Sequence, residues 1–220
     1  MQVQGVSNAL YPIKAQSNIL STLKTFTIMP NWCNTTLVFE GDKQEIKTLY
    51  QTMKKLERRK TPLVKNDFGV NWLGCLVEAL GGQWKEIYCR GTWLSLECQG
   101  NILRMETETA WSPCIETYDF ICKVFPSLAY YYRSEEPMMA EYLTNDMEGR
   151  HFKACYHVDA IIPNGDYVSE CFNSLEEALQ RVADKSGCPI QSEADVEALN
   201  EQWHTGDGEG YCYLHHYRVV

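Results

Sequence analysis

Asn34-Thr35-Thr36-Leu37-Val38-Phe39-Glu40-Gly41-Asp42-Lys43-Gln44-Glu45-Ile46 decides the fold of this chain, because a strand pattern gives way there to a helix pattern. Leu37 and Phe39 share one face by the period of two, Thr36 and Val38 take the other, and Gly41 ends the run. Asp42 can cap a helix, with Glu45 at capping-box spacing. Ile46, Leu49, Tyr50, Met53 and Leu56 then form one apolar stripe. A strand over 34–40 followed by an amphipathic helix is therefore the seed of the architecture.

The pattern continues outward in the same style. Trp72 to Leu80 reads as a short apolar helix stopped by Gly81 and Gly82. Ile87 to Glu97 and Ile102 to Thr109 read as strands joined by a turn at Gln99-Gly100-Asn101. Ser112 and Pro113 predict the start of a helix carrying Ile115, Tyr118, Cys122 and Phe125, and Leu128 to Arg133 predicts another strand. The order β, α, short α, β, β, α, β is that of a split βαβ. Beyond Pro137 the pattern predicts a hairpin around Asn145 to Gly149, a strand near Asp166 to Cys171 and two helices. The first helix has capping candidates at Asn173 with Glu176 or Ser174 with Glu177, and the second begins near Ser192. A turn over Gly206 to Gly210 and an aromatic strand, Tyr211 to Val220, follow. The expected class is α+β: a ferredoxin-like split βαβ antiparallel sheet over 29–137 with helices on one face, and an acidic hairpin and helical extension over 138–220 packed on it. Residues 1–28 have no acidic group and no sustained periodicity; they are expected to be a disordered extension or to precede a true start at Met29.

Composition narrows the function. The chain has 220 residues, 45% hydrophobic and 22% charged, which is ordinary globular usage. Its net charge of −9 is unevenly spread: residues 1–133 carry 15 basic and 12 acidic groups, net +3, while residues 134–220 carry 5 and 17, net −12. That field disfavours a dedicated nucleic-acid or anionic-membrane binder and favours a protein partner, a basic one at the carboxyl-terminal half. Ten cysteines without a CxxC pair or an export signal predict a reduced, cytoplasmic protein rather than a disulfide framework. No apolar run is long enough for a membrane helix.

Met29-Pro30-Asn31-Trp32-Cys33, Cys89-Arg90-Gly91, Thr109-Ala110-Trp111-Ser112-Pro113 and Phe125-Pro126 together resemble the YubB-type ferredoxin-like domain family over roughly residues 29–159. That family is encoded by phages, plasmids, conjugative elements and other mobile elements of bacteria. The resemblance implies a fold and a mobile-element context, with no reaction and no catalytic residue to carry over.

The split βαβ topology gives a geometric expectation for a site. The starts of the first two strands and the ends of the third and fourth share one edge. Asn31, Trp32, Arg90, Trp111, Ser112, Arg133 and Glu135 are the candidate ligand-binding residues there. Arg90 and the N–H groups of a helix starting at Ser112 could hold an anion beside two indoles. The same tryptophans could simply plug the core. The function expected is a cytosolic accessory or interaction protein binding a protein or small anionic ligand at that edge, without catalysis. One alternative is a small enzyme that uses Arg90 as anion clamp and Glu135 as acid or base. The other is a nucleic-acid binder using Lys54, Lys55, Arg58, Arg59 and Lys60, whose simpler role is to complement the helix dipole. No cofactor is expected and no metal: His151, Cys155, His157, His215 and His216 fit no standard zinc spacing. Glu106 and Glu108 share a strand face with no partner that would make them catalytic. GxSxG, GxxxxGK[ST], HExxH and GxGxxG are absent.

Overall fold

Leu37 and Phe39 are fully buried, as the period-two pattern requires, and the strand they anchor is one of the two central strands of a six-stranded sheet. The computed structural model describes residues 30–163, 165–205 and 210–220, so the expectations for residues 1–28 and for most of the 206–210 turn lie outside the described residues. Along the chain run β1 (Trp32–Glu40), α1 (Lys43–Glu57), α2 (Leu73–Ala79), β2 (Gly91–Gln99), β3 (Ile102–Ala110), α3 (Ile115–Val124) and β4 (Ala129–Glu136). A single 3-10 turn, Pro137–Met139, leads to β5 (Glu141–Thr144). Then come β6 (Tyr156–Ile161), β7 (Tyr167–Phe172), α4 (Leu175–Ser186), α5 (Glu193–Thr205), β8 (Tyr211–His216) and β9 (Arg218–Val219). The protein is α+β, with two sheets.

The first sheet has the order β2-β3-β1-β4-β5-β9; its neighbours are antiparallel except for β5 and β9, which are parallel. Leu37, Phe39, Leu103, Met105 and Trp93 from the strands pack with Ile46, Leu49, Met53, Leu73, Leu76 and Tyr118 from the three helices in one core. Thr107 and Thr109 are buried on that same side, so β3 alternates as its sequence does. Asp42 caps α1, its Oδ1 accepting the N–H groups of Gln44 and Glu45 at 2.8 and 3.1 Å. The reciprocal half of the capping box is replaced by a tertiary contact. The Asp42 N–H donates to Ser127 Oγ at 2.8 Å, and that hydroxyl donates to Glu45 Oε2 at 2.7 Å.

Three local expectations shift. Residues 87–90 precede β2 as turn and loop. The α3 helix begins at Ile115 after Cys114, with no side-chain cap, because Ser112 closes a tight turn in which its carbonyl accepts from Thr109 Oγ1 at 2.8 Å. The hairpin after Pro137 turns at 137–140 and not at 145–149. At 145–149 the side chains organise the loop instead: Asn145 pairs with the Tyr130 carbonyl and the Tyr132 N–H like a strand residue. Asp146 gathers the N–H groups of Arg150, His151 and Phe152.

The second sheet, β7-β6-β8, is antiparallel. Val158, Ala160, Val168 and Cys212 pack against Ala178, Leu179, Val182, Val196, Leu199 and Trp203 of α4 and α5 in a second core. Ser174 caps α4, accepting the Glu177 N–H at 3.2 Å, and Glu177 accepts from the Asn173 N–H. The opposite face of this sheet, with His157 and His215, meets Tyr142 of β5. The two sheets thus touch through strand faces that the helices leave open. No helix among the described residues is long and apolar enough to cross a membrane.

Candidate functional site

The strand register brings the first set of candidate residues to one edge. Trp32 pairs with Ala110, Gly91 with Thr109, and Asn34 with Glu135. The Trp111 N–H donates to the Asn31 carbonyl and the Ala110 N–H to the Arg90 carbonyl, each at 2.8 Å. The main chains of Asn31, Trp32, Arg90, Trp111 and Ser112 are therefore held together, while the side chains part. Trp32 and Trp111 are exposed to 40% and 43%, which is far from a core plug. Trp111 also has φ of 70°, a left-handed backbone that costs a non-glycine residue about 1–2 kcal/mol.

Arg90 is exposed and borders a separate groove of about 440 Å³, lined by Trp72, Trp84, Lys85 and Tyr88. The first turn of α3 is occupied by its own contacts: Glu116 accepts the Tyr88 N–H at 2.7 Å, and Thr117 Oγ1 donates to the Tyr88 carbonyl at 2.7 Å. Arg133 and Glu135 border a third place, a cleft of about 130 Å³ with Asn34, Thr36, Leu94 and Glu106. Asn31, Trp32, Arg90, Trp111 and Ser112 thus share an edge of the backbone, Glu135 and Arg133 lie farther along β1 opposite Asn34 and Thr36, and the seven residues serve three surfaces.

The basic end of α1 is partly engaged. Lys54 pairs with Glu57, whose Oε1 also accepts the Trp93 Nε1–H at 2.9 Å, and Arg59 Nε donates to the Thr61 carbonyl at 3.2 Å. Lys55, Arg58 and Lys60 are exposed. Lys54 and Lys55 lie in the last turn, where cations complement the dipole.

The histidines and cysteines separate as well. His151 Nε2 lies 3.0 Å from Glu40 Oε2, Cys155 is exposed and donates to the Lys153 carbonyl, and His216 stacks on Tyr156. His157 turns to a different partner. Its Nδ1 is 3.3 Å from Cys171 Sγ and 4.0 Å from Glu135 Oε1, and its Nε2 is 3.2 Å from Ser169 Oγ. Tyr217 donates to Glu135 Oε1 and lies 3.5 Å from Cys171 Sγ. Tyr142 stacks on His215 with ring centroids 4.0 Å apart. Arg133 Nε is 3.7 Å from Glu135 Oε1, and its guanidinium lies over the Tyr217 ring.

Ser169, Cys171, Tyr217 and Tyr142 are the members of this cluster that sequence reading missed. The usable signal was the His157–Cys171 pairing of a hairpin, with Ser169 two residues along on the same face. Burial drives the electrostatics there. It pushes the His157 and His215 imidazoles below their usual range, with the two rings opposing each other's charge at His215, and pushes the Tyr217 phenol well up. Elsewhere burial holds the Cys89, Cys122 and Cys212 thiols up at about 11, so these are quiet packing groups. All ten cysteines are free. Comparison with known proteins gives no match to any family model, curated protein or solved structure.

Proposed function

We propose that this protein is a YubB-type ferredoxin-like accessory protein of a bacterial mobile element, acting in the cytoplasm by binding a protein partner, without catalysis. The order β4-β1-β3-β2, all antiparallel, with helices between β1 and β2 and between β3 and β4, supports the ferredoxin-like reading. The binding role rests on Trp111. An exposed indole is presented by a backbone that tryptophan does not favour, and such strain persists where presentation of the side chain matters. The net −12 of residues 134–220 favours a partner with a basic surface.

Trp111→Gly separates fold from function, because glycine relieves the strained backbone. The variant is expected to unfold with a free energy equal to wild type or about 1 kcal/mol higher. It is also expected to lose the protein that the wild-type chain captures from cells carrying the gene, as is Trp32→Ala. Ala140→Gly, the same relief at φ 53°, serves as the control that keeps the partner. Equal capture by Trp111→Gly and wild type would remove the edge from the binding role.

A further inference from the structure

We propose that Glu135, His157 and Cys171 form a binding site for a zinc-like divalent metal ion between the two sheets. The ligand atoms come from β4, β6 and β7, and all three lie within 4.8 Å of one another. His157 Nδ1 is 3.3 Å from Cys171 Sγ and 4.0 Å from Glu135 Oε1. Bonds of roughly 2.0 to 2.3 Å at tetrahedral angles put neighbouring donors about 3.3 to 3.8 Å apart, so only small rotations separate this arrangement from a coordination shell.

The surroundings are those of a ligand set. His157 Nε2 faces Ser169 Oγ at 3.2 Å, the outer hydrogen bond that fixes a metal-bound imidazole and leaves the other nitrogen's lone pair toward the ion. Tyr217 holds Glu135 Oε1, and the pair turns the carboxylate toward the histidine. One thiolate, one imidazole and one carboxylate suit a borderline ion such as Zn2+ or Co2+, whereas Ca2+ and Mg2+ select all-oxygen shells. Arg133 Nε lies 3.7 Å from the same carboxylate oxygen, outside hydrogen-bond distance. Metal binding would release the Cys171 thiol proton and join the six-stranded sheet to the three-stranded one. The absence of a zinc motif is accounted for by the geometry: the ligands lie on three strands in two sheets, with spacings that no local pattern encodes. The site is independent of the Trp32 and Trp111 edge.

The test uses the full chain, freed of metal by chelator and titrated with Co2+. The expected result is uptake of one equivalent with a thiolate-to-cobalt charge-transfer band, displaced by Zn2+, and a rise in melting temperature on adding Zn2+. Cys171→Ser abolishes the band, and Cys155→Ser, at the exposed cysteine nearby, leaves it intact. Ser169→Ala weakens Co2+ binding about 10- to 100-fold. Absence of the band in the wild type overturns the site, as does a band that survives Cys171→Ser. Should Cys171→Ser fail to fold, Glu135→Gln and Ser169→Ala decide: unchanged Co2+ affinity in both overturns the proposal.

Discussion

Asp146 is buried, yet its carboxylate accepts three main-chain N–H groups, from Arg150, His151 and Phe152, at 2.9, 2.6 and 2.8 Å. Burial alone would raise its pKa, but those donors together with the charge of His151 bring it below the ordinary 3.8. A carboxyl group whose pKa is lower in the folded state stabilises the fold above its unfolded value, and that contribution disappears as pH falls through the folded value. Asp146→Asn should therefore cost about 2 kcal/mol near neutral pH and show a flatter loss of stability than wild type below about pH 4, as measured by denaturant unfolding. Single residues of this kind are only half legible in a sequence. An Asp in a polar stretch announces a loop, but which N–H groups it collects depends on the path of 147–152. Trp111 is similar. Its place after a strand follows from the pattern, whereas nothing in a tryptophan announces a left-handed backbone.

The junction of β1 with α1 shows why some elements are readable and their joints less so. Gly41 sits where a Cβ would lie 2.5 Å from the Ser127 carbonyl oxygen and 2.7 Å from Leu128 Cδ2. That close approach lets Ser127 reach both the Asp42 N–H and the Glu45 carboxylate. Gly41→Ala is expected to destabilise the protein by about 2 kcal/mol or more, because main-chain atoms of the turn before β4 must move. Chemical denaturation checks this, with an unchanged dependence on denaturant if the unfolded state is unaffected. The sequence makes Gly41 a strand terminator. Its second role comes from a segment more than eighty residues away, which no local window contains. The same limit explains the late start of α3. Ser112 and Pro113 have the composition of a helix start, but Thr109 takes the Ser112 carbonyl and the chain needs two more residues before it can turn. By contrast α1 and β3 follow their periodicity because burial of one face is all they need, and β1 does so with Val38 buried on its second face as well.

At the contact between the sheets, Tyr142 lies against His215 and His157, and both imidazoles have pKa values depressed by burial. Below the ordinary histidine value of about 6.5 the unfolded chain binds more protons than the folded one, so stability falls as pH is lowered through that region. Wild-type melting temperature should drop between about pH 7 and pH 5, and His215→Gln should show a smaller drop. Equal slopes would place the pH dependence elsewhere. This contact is the part of the molecule least visible in the sequence, since it needs the β6–β7 register, the docking of two sheets and the position of Tyr217 all at once. The fold order to β4 and the helical character of 175–205 were legible; the meeting of His157 with Cys171 and Glu135 was not. A feature of the strand order carries one more consequence. The first sheet takes its outermost strand from Arg218–Val219 and the second takes an edge strand from Tyr211–His216. During synthesis both sheets must wait for the 211–219 segment to emerge, leaving β5 and β6 each with an unpaired backbone edge. A nascent chain halted before that segment presents two open templates for pairing with its neighbours, which makes premature termination a hazard of aggregation rather than of simple loss.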